Sequence, residues 1–230
     1  GLVMKYFGIS ACFLVNSVSF AAVLISLFFI KTIKIEMPVI RETNVFKNIG
    51  EGLKYIYSKK ILFVTILITA VVATFTMNFN VLVPVFSIQV LHQNETGYGL
   101  LMSCMGIGSF IGAMLVASIS KSGPKKFILF VVPVIAALAL TLTGFTSAYA
   151  LTGLALRVTG FFFIIFSSNA NSCLQMNTDK EHLGRVMSVY TLVFAGSTPL
   201  GNLYAGAITE EFGARVGVIA CGAIIIVLMI

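Results

Sequence analysis

Seven apolar runs follow one another along the chain, parted by polar stretches: Phe7–Ile30, Ile61–Leu91, Gly97–Ile119, Phe127–Phe145, Tyr149–Gln175, Gly184–Ala207 and Val216–Ile230. A helix needs roughly 20 apolar residues to span a ~30 Å hydrocarbon core, and these runs meet or approach that length. Membrane strands would instead show ~10-residue segments of alternating polarity. The pattern predicts an all-α fold, a polytopic membrane helix bundle.

The first two runs are separated by the one long connection, residues 31–60. It opens polar, with Pro38. Val45, Phe46, Ile49, Leu53 and Ile56 then recur at helical spacing, with Lys47, Glu51, Lys54 and Ser58 on the other side. This predicts an amphipathic helix. Two placements fit it: at the inner membrane interface with its lysines near anionic lipid, or packed on other cytoplasmic loops. The connection divides the chain into a single helix, 1–30, a linker, 31–60, and a bundle, 61–230.

Charge adds an orientation. Lys31, Lys34, Arg41, Lys47, Lys54, Lys59 and Lys60 fill the first connection, Lys121, Lys125 and Lys126 the third, and Lys180 and Arg185 the fifth. The second and fourth connections hold no Lys or Arg, and the sixth holds only Arg215 beside Glu210 and Glu211. Basic residues mark the cytoplasmic side, and twelve of the fifteen obey this alternation. The expected protein is a multi-pass protein of the cell membrane with its C-terminus in the cytoplasm. Composition agrees: 58% of residues are hydrophobic and 10% charged, too little polar surface for a soluble core. The net charge of +7 is spread over loops without a concentrated basic domain, so nucleic acid is not an expected partner. The chain reads as a fragment, since it does not begin with Met and its last run of about 15 residues would rise only ~22 Å.

Charge inside hydrocarbon is costly, so an intramembrane ionisable residue is a functional candidate. Arg157 is the clear one, about eight residues, or ~12 Å, into its run. At 100° per residue, Arg157, Phe161, Ile164, Ser168, Asn171 and Gln175 share one stripe. The second run has its own polar stripe, Thr65, Thr69, Thr76 and Asn80, with Asn78 beside it. Each stripe either lines a polar cavity or bonds neighbouring helices together; for Arg157 the bland reading is an interface anchor. Pro84 predicts a kink in the second run. Gly108 and Gly112 have the GxxxG spacing that lets helix backbones approach closely. No Asp or Glu lies well inside a run, and Cys12, Cys104, Cys173 and Cys221 are scattered packing residues. No Ser/His dyad, acid pair or Cys/His cluster falls within the membrane, so the reading contains no catalytic residue, cofactor or metal.

Three stretches resemble the major facilitator superfamily, and within it exporters of the enterobactin and macrolide type. "ACFLVNSVSF", Ala11–Phe20, is similar to the family's sixth helix. "GLLMSCMGIGSFIGAML", Gly99–Leu115, is similar to the eighth. "GRVMSVYTLVFAGSTPLGNLYAGA", Gly184–Ala207, is similar to the eleventh and the loop entering it. The resemblance covers essentially the whole chain. It implies the C-terminal six-helix half of a major-facilitator fold plus the preceding helix, with the N-terminal half missing. The second and fifth runs become cavity-lining helices, with Thr76, Asn78, Asn80, Arg157, Phe161, Ser168, Asn171 and Gln175 as the substrate-cavity set. The third and sixth become helices at the interface between the halves. The family's cytoplasmic signature corresponds to "SKSGPKK", Ser120–Lys126, where Lys121, Gly123 and Lys125 match. Ser120 stands in place of the family's Asp, and Pro124 in place of a basic residue. Arg185 is either a contact to the partner half or a positive-inside anchor.

The function this implies is secondary active efflux of a drug-like or siderophore-like small molecule by alternating access. Its partners would be that substrate, the lipid bilayer and the N-terminal half. A seven-helix receptor and a non-transport membrane scaffold are the alternatives. The last run offers no Lys for retinal, and the long basic connection is unlike a compact receptor's turn.

Overall fold

The computed structural model describes residues 2–29, 45–119 and 123–229, and every regular element among them is an α-helix. Two compact units divide the chain, Gly1–Asn44 and Val45–Ile230. The first contains α1 (Leu2–Phe28), whose Ser19 and Ser26 hydroxyls donate back to the Val15 and Ala22 carbonyls at 2.9 and 2.8 Å. Hydroxyls satisfied within their own helix need no other partner in an apolar setting.

The second unit contains α2 (Val45–Ser58), α3 (Lys60–Thr76), α4 (Phe79–Gln89), α5 (Glu95–Ile119), α6 (Lys126–Phe145), α7 (Tyr149–Met176), α8 (Leu183–Phe212) and α9 (Ala214–Met229). Four described stretches are long and apolar enough to cross a membrane: α3 with α4, α5, α6 and α7. Phe13–Phe28 and α9 are apolar but shorter. α8 has 30 residues yet stays outside that set; Ser188, Thr191, Ser197, Thr198 and Asn202 dilute its apolar character. Helix neighbours run α5, α7, α6, α9, α8, α3, and α4 returns to α5. Among the described residues, three apolar cores occupy the bundle. Leu82, Phe86, Leu101, Leu140 and Leu156 form the first, Ile68, Val72, Leu129 and Phe166 the second, and Ile56, Leu62, Leu174 and Val186 the third.

Helices in lipid associate by close packing, because lipid tails are as apolar as the side chains. The GxxxG pair illustrates this. A Cβ on Gly108 would collide with the Arg157 carbonyl, and one on Gly112 would lie 2.6 Å from the Phe161 carbonyl oxygen. The resemblance puts this helix at a contact between halves; here these two glycines seat α5 on α7.

The break in the second apolar run is not at Pro84, which lies inside α4. It falls at Met77–Asn78, where the Asn78 amide donates to the Thr74 carbonyl at 2.9 Å. An Asn side chain that takes a carbonyl one turn back competes with the helix's own ladder. The linker helix also finds its place. α2 packs on α8 and α3, with Ile56 buried among Leu62, Leu174, Val186 and Val189.

Candidate functional site

α7 organises the site because three of its flanks are occupied and one is not. Toward α5, Gly153 faces Cys104, and Gly160 faces Met105 and Ser109, whose hydroxyl donates to the Gly160 carbonyl at 3.2 Å. Toward α6, Leu156 and Phe166 enter the cores. Toward α3, Cys173 lies 3.7 Å from the Thr65 hydroxyl. Along the remaining face Leu154, Arg157, Ser172 and Gln175 are exposed, and Phe161, Ser168 and Asn171 are half-buried. The Gln175 amide hydrogen-bonds to Asn171 one turn away. The structure therefore keeps Arg157, Phe161, Ser168, Asn171 and Gln175 along one helix. Ile164, counted on the same stripe, leans on α5, where it would meet a Cβ added to Gly112.

The residues around the α3–α4 break are placed elsewhere. Thr65, Thr69, Thr76 and Asn78 are buried inside the bundle. Thr65 and Thr69 donate to the carbonyls of Ile61 and Thr65 at 2.7 and 2.8 Å. Asn78 reaches the Cys221 sulfur on α9 at 3.7 Å and lies against Gly201 on α8. Asn80 alone of this group is exposed. Counting 100° per residue through Met77–Asn78 assumed a continuous helix, and the break removes that phase relation.

At the end of the bundle carrying α2, here called the basic end, a cleft of about 110 Å³ joins α5, α6 and α7. Gly123, Lys125, Ser168, Asn169, Ser172 and Met176 are among its walls. Gly123 has φ +68°, in the left-handed region that glycine favours. Asn169 then clasps the next stretch of chain. It accepts from the Lys125 backbone N–H at 3.0 Å and donates to the Lys125 carbonyl at 3.1 Å. Sequence reasoning missed Asn169: it is 200° around the helix from Asn171, and its partner is backbone, which leaves no side-chain pattern to find. Lys121 lies outside the described residues.

Arg185 meets α2 rather than the cleft. Its Nη1 lies 2.9 Å from Glu51 Oε2. Beside it, Asp179 in the α7–α8 turn accepts from the Tyr55 hydroxyl at 2.7 Å and from Lys59 Nζ at 3.0 Å, while its own N–H donates to the Tyr55 oxygen at 3.0 Å. The Tyr55 ring stacks on His182, centroids 4.1 Å apart. The Tyr55 hydroxyl, and after it Lys59, holds the Asp179 carboxyl below its ordinary range. The same contacts, Tyr55 first and Asp179 second, push Lys59 up.

At the far end, Arg157 borders a cleft with about 480 Å³ of empty space, together with Cys104, Tyr149, Ala150, Gly153 and Leu154. The open face thus offers a cation, an apolar middle and hydroxyl and amide groups toward the basic end. That arrangement suits non-covalent binding of a molecule with both apolar and polar parts.

The proposed bacilysin exporter BacE of Bacillus amyloliquefaciens is 32% identical over 201 residues, 82% of this chain and 49% of that protein. Its counterpart in Bacillus subtilis strain 168 is 28% identical over 208 residues, 86% of this chain and 51% of that protein. The chain spans about half the length of these curated relatives. No solved structure matches it. The family described as transmembrane secretion effector, of the major facilitator type, matches residues 1–230. A polytopic helical bundle matched over that whole range belongs to the transmembrane secretion effector family.

Proposed function

We propose that this chain is the C-terminal half of an efflux permease, with α1 as the last helix of the N-terminal half. The observation that carries the reading is the open face of α7, where Arg157 stands among apolar and hydroxyl groups on a helix otherwise packed on three flanks. A second bundle facing it would enclose a central cavity, and rocking of the two bundles would expose that cavity to each side in turn. Substrates of the drug-like or siderophore-like kind fit the enterobactin and macrolide exporters that the sequence resembles. The relatives are named for bacilysin export, which adds bacilysin to the compounds to try. The permease resides in the cell membrane with α2, the α5–α6 and α7–α8 connections and the C-terminus in the cytoplasm.

The test is efflux from intact bacteria that express the full-length protein and lack their own broad exporters. Macrolides, catecholate siderophores and bacilysin form the panel. At least one should accumulate several-fold less than in cells without the protein, and dissipating the ion gradients should abolish the difference. A panel with no change overturns the reading. Sidedness has its own check. Single cysteines placed at Lys126 or Lys180 should resist an impermeant maleimide added outside intact cells; rapid labelling reverses the orientation.

A further inference from the structure

The second unit has three described arginines, and two of them are satisfied. Arg185 pairs with Glu51. Arg215 at the far end donates to the Gly144 and Thr146 carbonyls at 3.2 and 3.3 Å and to the Ser147 hydroxyl at 2.7 Å, closing the α6–α7 turn. Arg157 is the exception. Neither ion pair among the described residues engages it, and no described residue hydrogen-bonds its guanidinium. It sits ~12 Å along a membrane-spanning helix, with five N–H donors to satisfy. Hydrocarbon satisfies none of them.

The cleft beside it has a definite chemistry. Cys104, Ala150, Gly153 and Leu154 make its walls small and apolar. Tyr149 also lines it, but its hydroxyl is committed to the Gly97 carbonyl at 2.7 Å. Arg157 is thus the one charged group in the lining. A lone guanidinium favours a single planar anion that it can bind through two parallel N–H donors, and a carboxylate matches that fork. It repels cations. We infer that this far-end cleft between α5 and α7 is a carboxylate subsite, in which Arg157 pairs with the acid group of a small apolar molecule while Leu154 and its neighbours cover the apolar part. The inference deepens the exporter reading and rests on it.

Cys104 provides a reporter that does not depend on transport. It is half-buried, and its sulfur lies 3.3 Å from where a Cβ on Gly153 would be, inside the same cleft. The experiment uses the full-length protein in phosphatidylcholine nanodiscs. Alkylation of Cys104 by N-ethylmaleimide is followed by mass spectrometry, with dansyl-leucine or octanoate present, or their amides. The acids should slow alkylation at least fivefold and the amides should not. Arg157→Gln should abolish the protection, and Arg157→Lys should keep part of it. The acid–amide contrast in the unsubstituted protein stands even where a variant fails to fold. Equal effects of acid and amide, or protection unchanged in Arg157→Gln, overturn the subsite. So does protection by phosphatidylglycerol in the nanodisc without added acid, which would assign Arg157 to a lipid phosphate. Efflux of a neutral dye by the unsubstituted protein reads the exporter function separately. Dye efflux without acid-selective protection removes the subsite and spares the exporter; acid-selective protection without any efflux does the reverse.

Discussion

Asn169 is the residue whose loss should be felt most at the basic end. It satisfies both the N–H and the carbonyl of Lys125. Asn169→Ala leaves two backbone groups without partners, at a cost of about 1–3 kcal/mol for each that water does not reach. The expected result is a lower melting temperature and faster hydrogen exchange at residues 123–126; unchanged exchange would show that the clasp is dispensable. Asp179 offers a test with a sign. Its carboxyl is held below the ordinary value of 3.8, so its contribution is complete above that value and is lost as pH falls through the depressed one. The difference in α2 protection between the natural protein and Asp179→Asn should therefore be constant between about pH 5 and 9. It should vanish only under strongly acid conditions. A difference that fades near pH 6 would assign the effect to another group. Single residues were legible in the sequence where chemistry alone marked them. Arg157 stood out as a charge in an apolar run. Asn78 stood out as an amide, but its neighbours Cys221 and Gly201 come from helices more than 100 residues away, and no local pattern announces them.

At the scale of elements, apolar periodicity placed the helices, and what it missed involves glycine and breaks. The α2 pattern put Leu53 on the apolar face with Ile56, and the structure exposes Leu53 and buries Gly52 and Ile56. Hydropathy counting overlooks a glycine that lets two helices meet. A Cβ at Gly52 would lie 3.3 Å from both the Cβ and the carbonyl oxygen of Arg185 and 3.4 Å from Val189. That contact, rather than the ion pair beside it, should control docking. Glu51 and Arg185 are both partly open to water, and ion pairs that water reaches contribute about 0–1 kcal/mol. Overpacking of a close contact costs about 1–3 kcal/mol. Gly52→Val should therefore free α2 to exchange and to protease, whereas Glu51→Gln should change little. The reverse order would make the charge pair the anchor.

At the scale of the whole molecule, exposed surface separates what lipid can cover from what it cannot. Phe110, Ile111, Phe127, Leu142, Leu192 and Leu203 are exposed on the second unit. Acyl chains match such side chains, which in water would form an association-prone surface. The open face of α7 is another matter, since Arg157, Ser172 and Gln175 need protein or water beside them. Gradient-driven transport also requires a group that binds and releases a proton or an ion. Away from helix ends, Arg157 is the one charged side chain in the four spans of α3–α7, and arginine does not deprotonate in proteins. The coupling group is therefore expected in the partner bundle. Proteoliposomes holding only these 230 residues should bind ligand weakly and move none of it along a proton or sodium gradient, while the full-length protein does both. Sustained coupled transport by the 230 residues alone would falsify both the half-transporter reading and the assignment of coupling to the partner half.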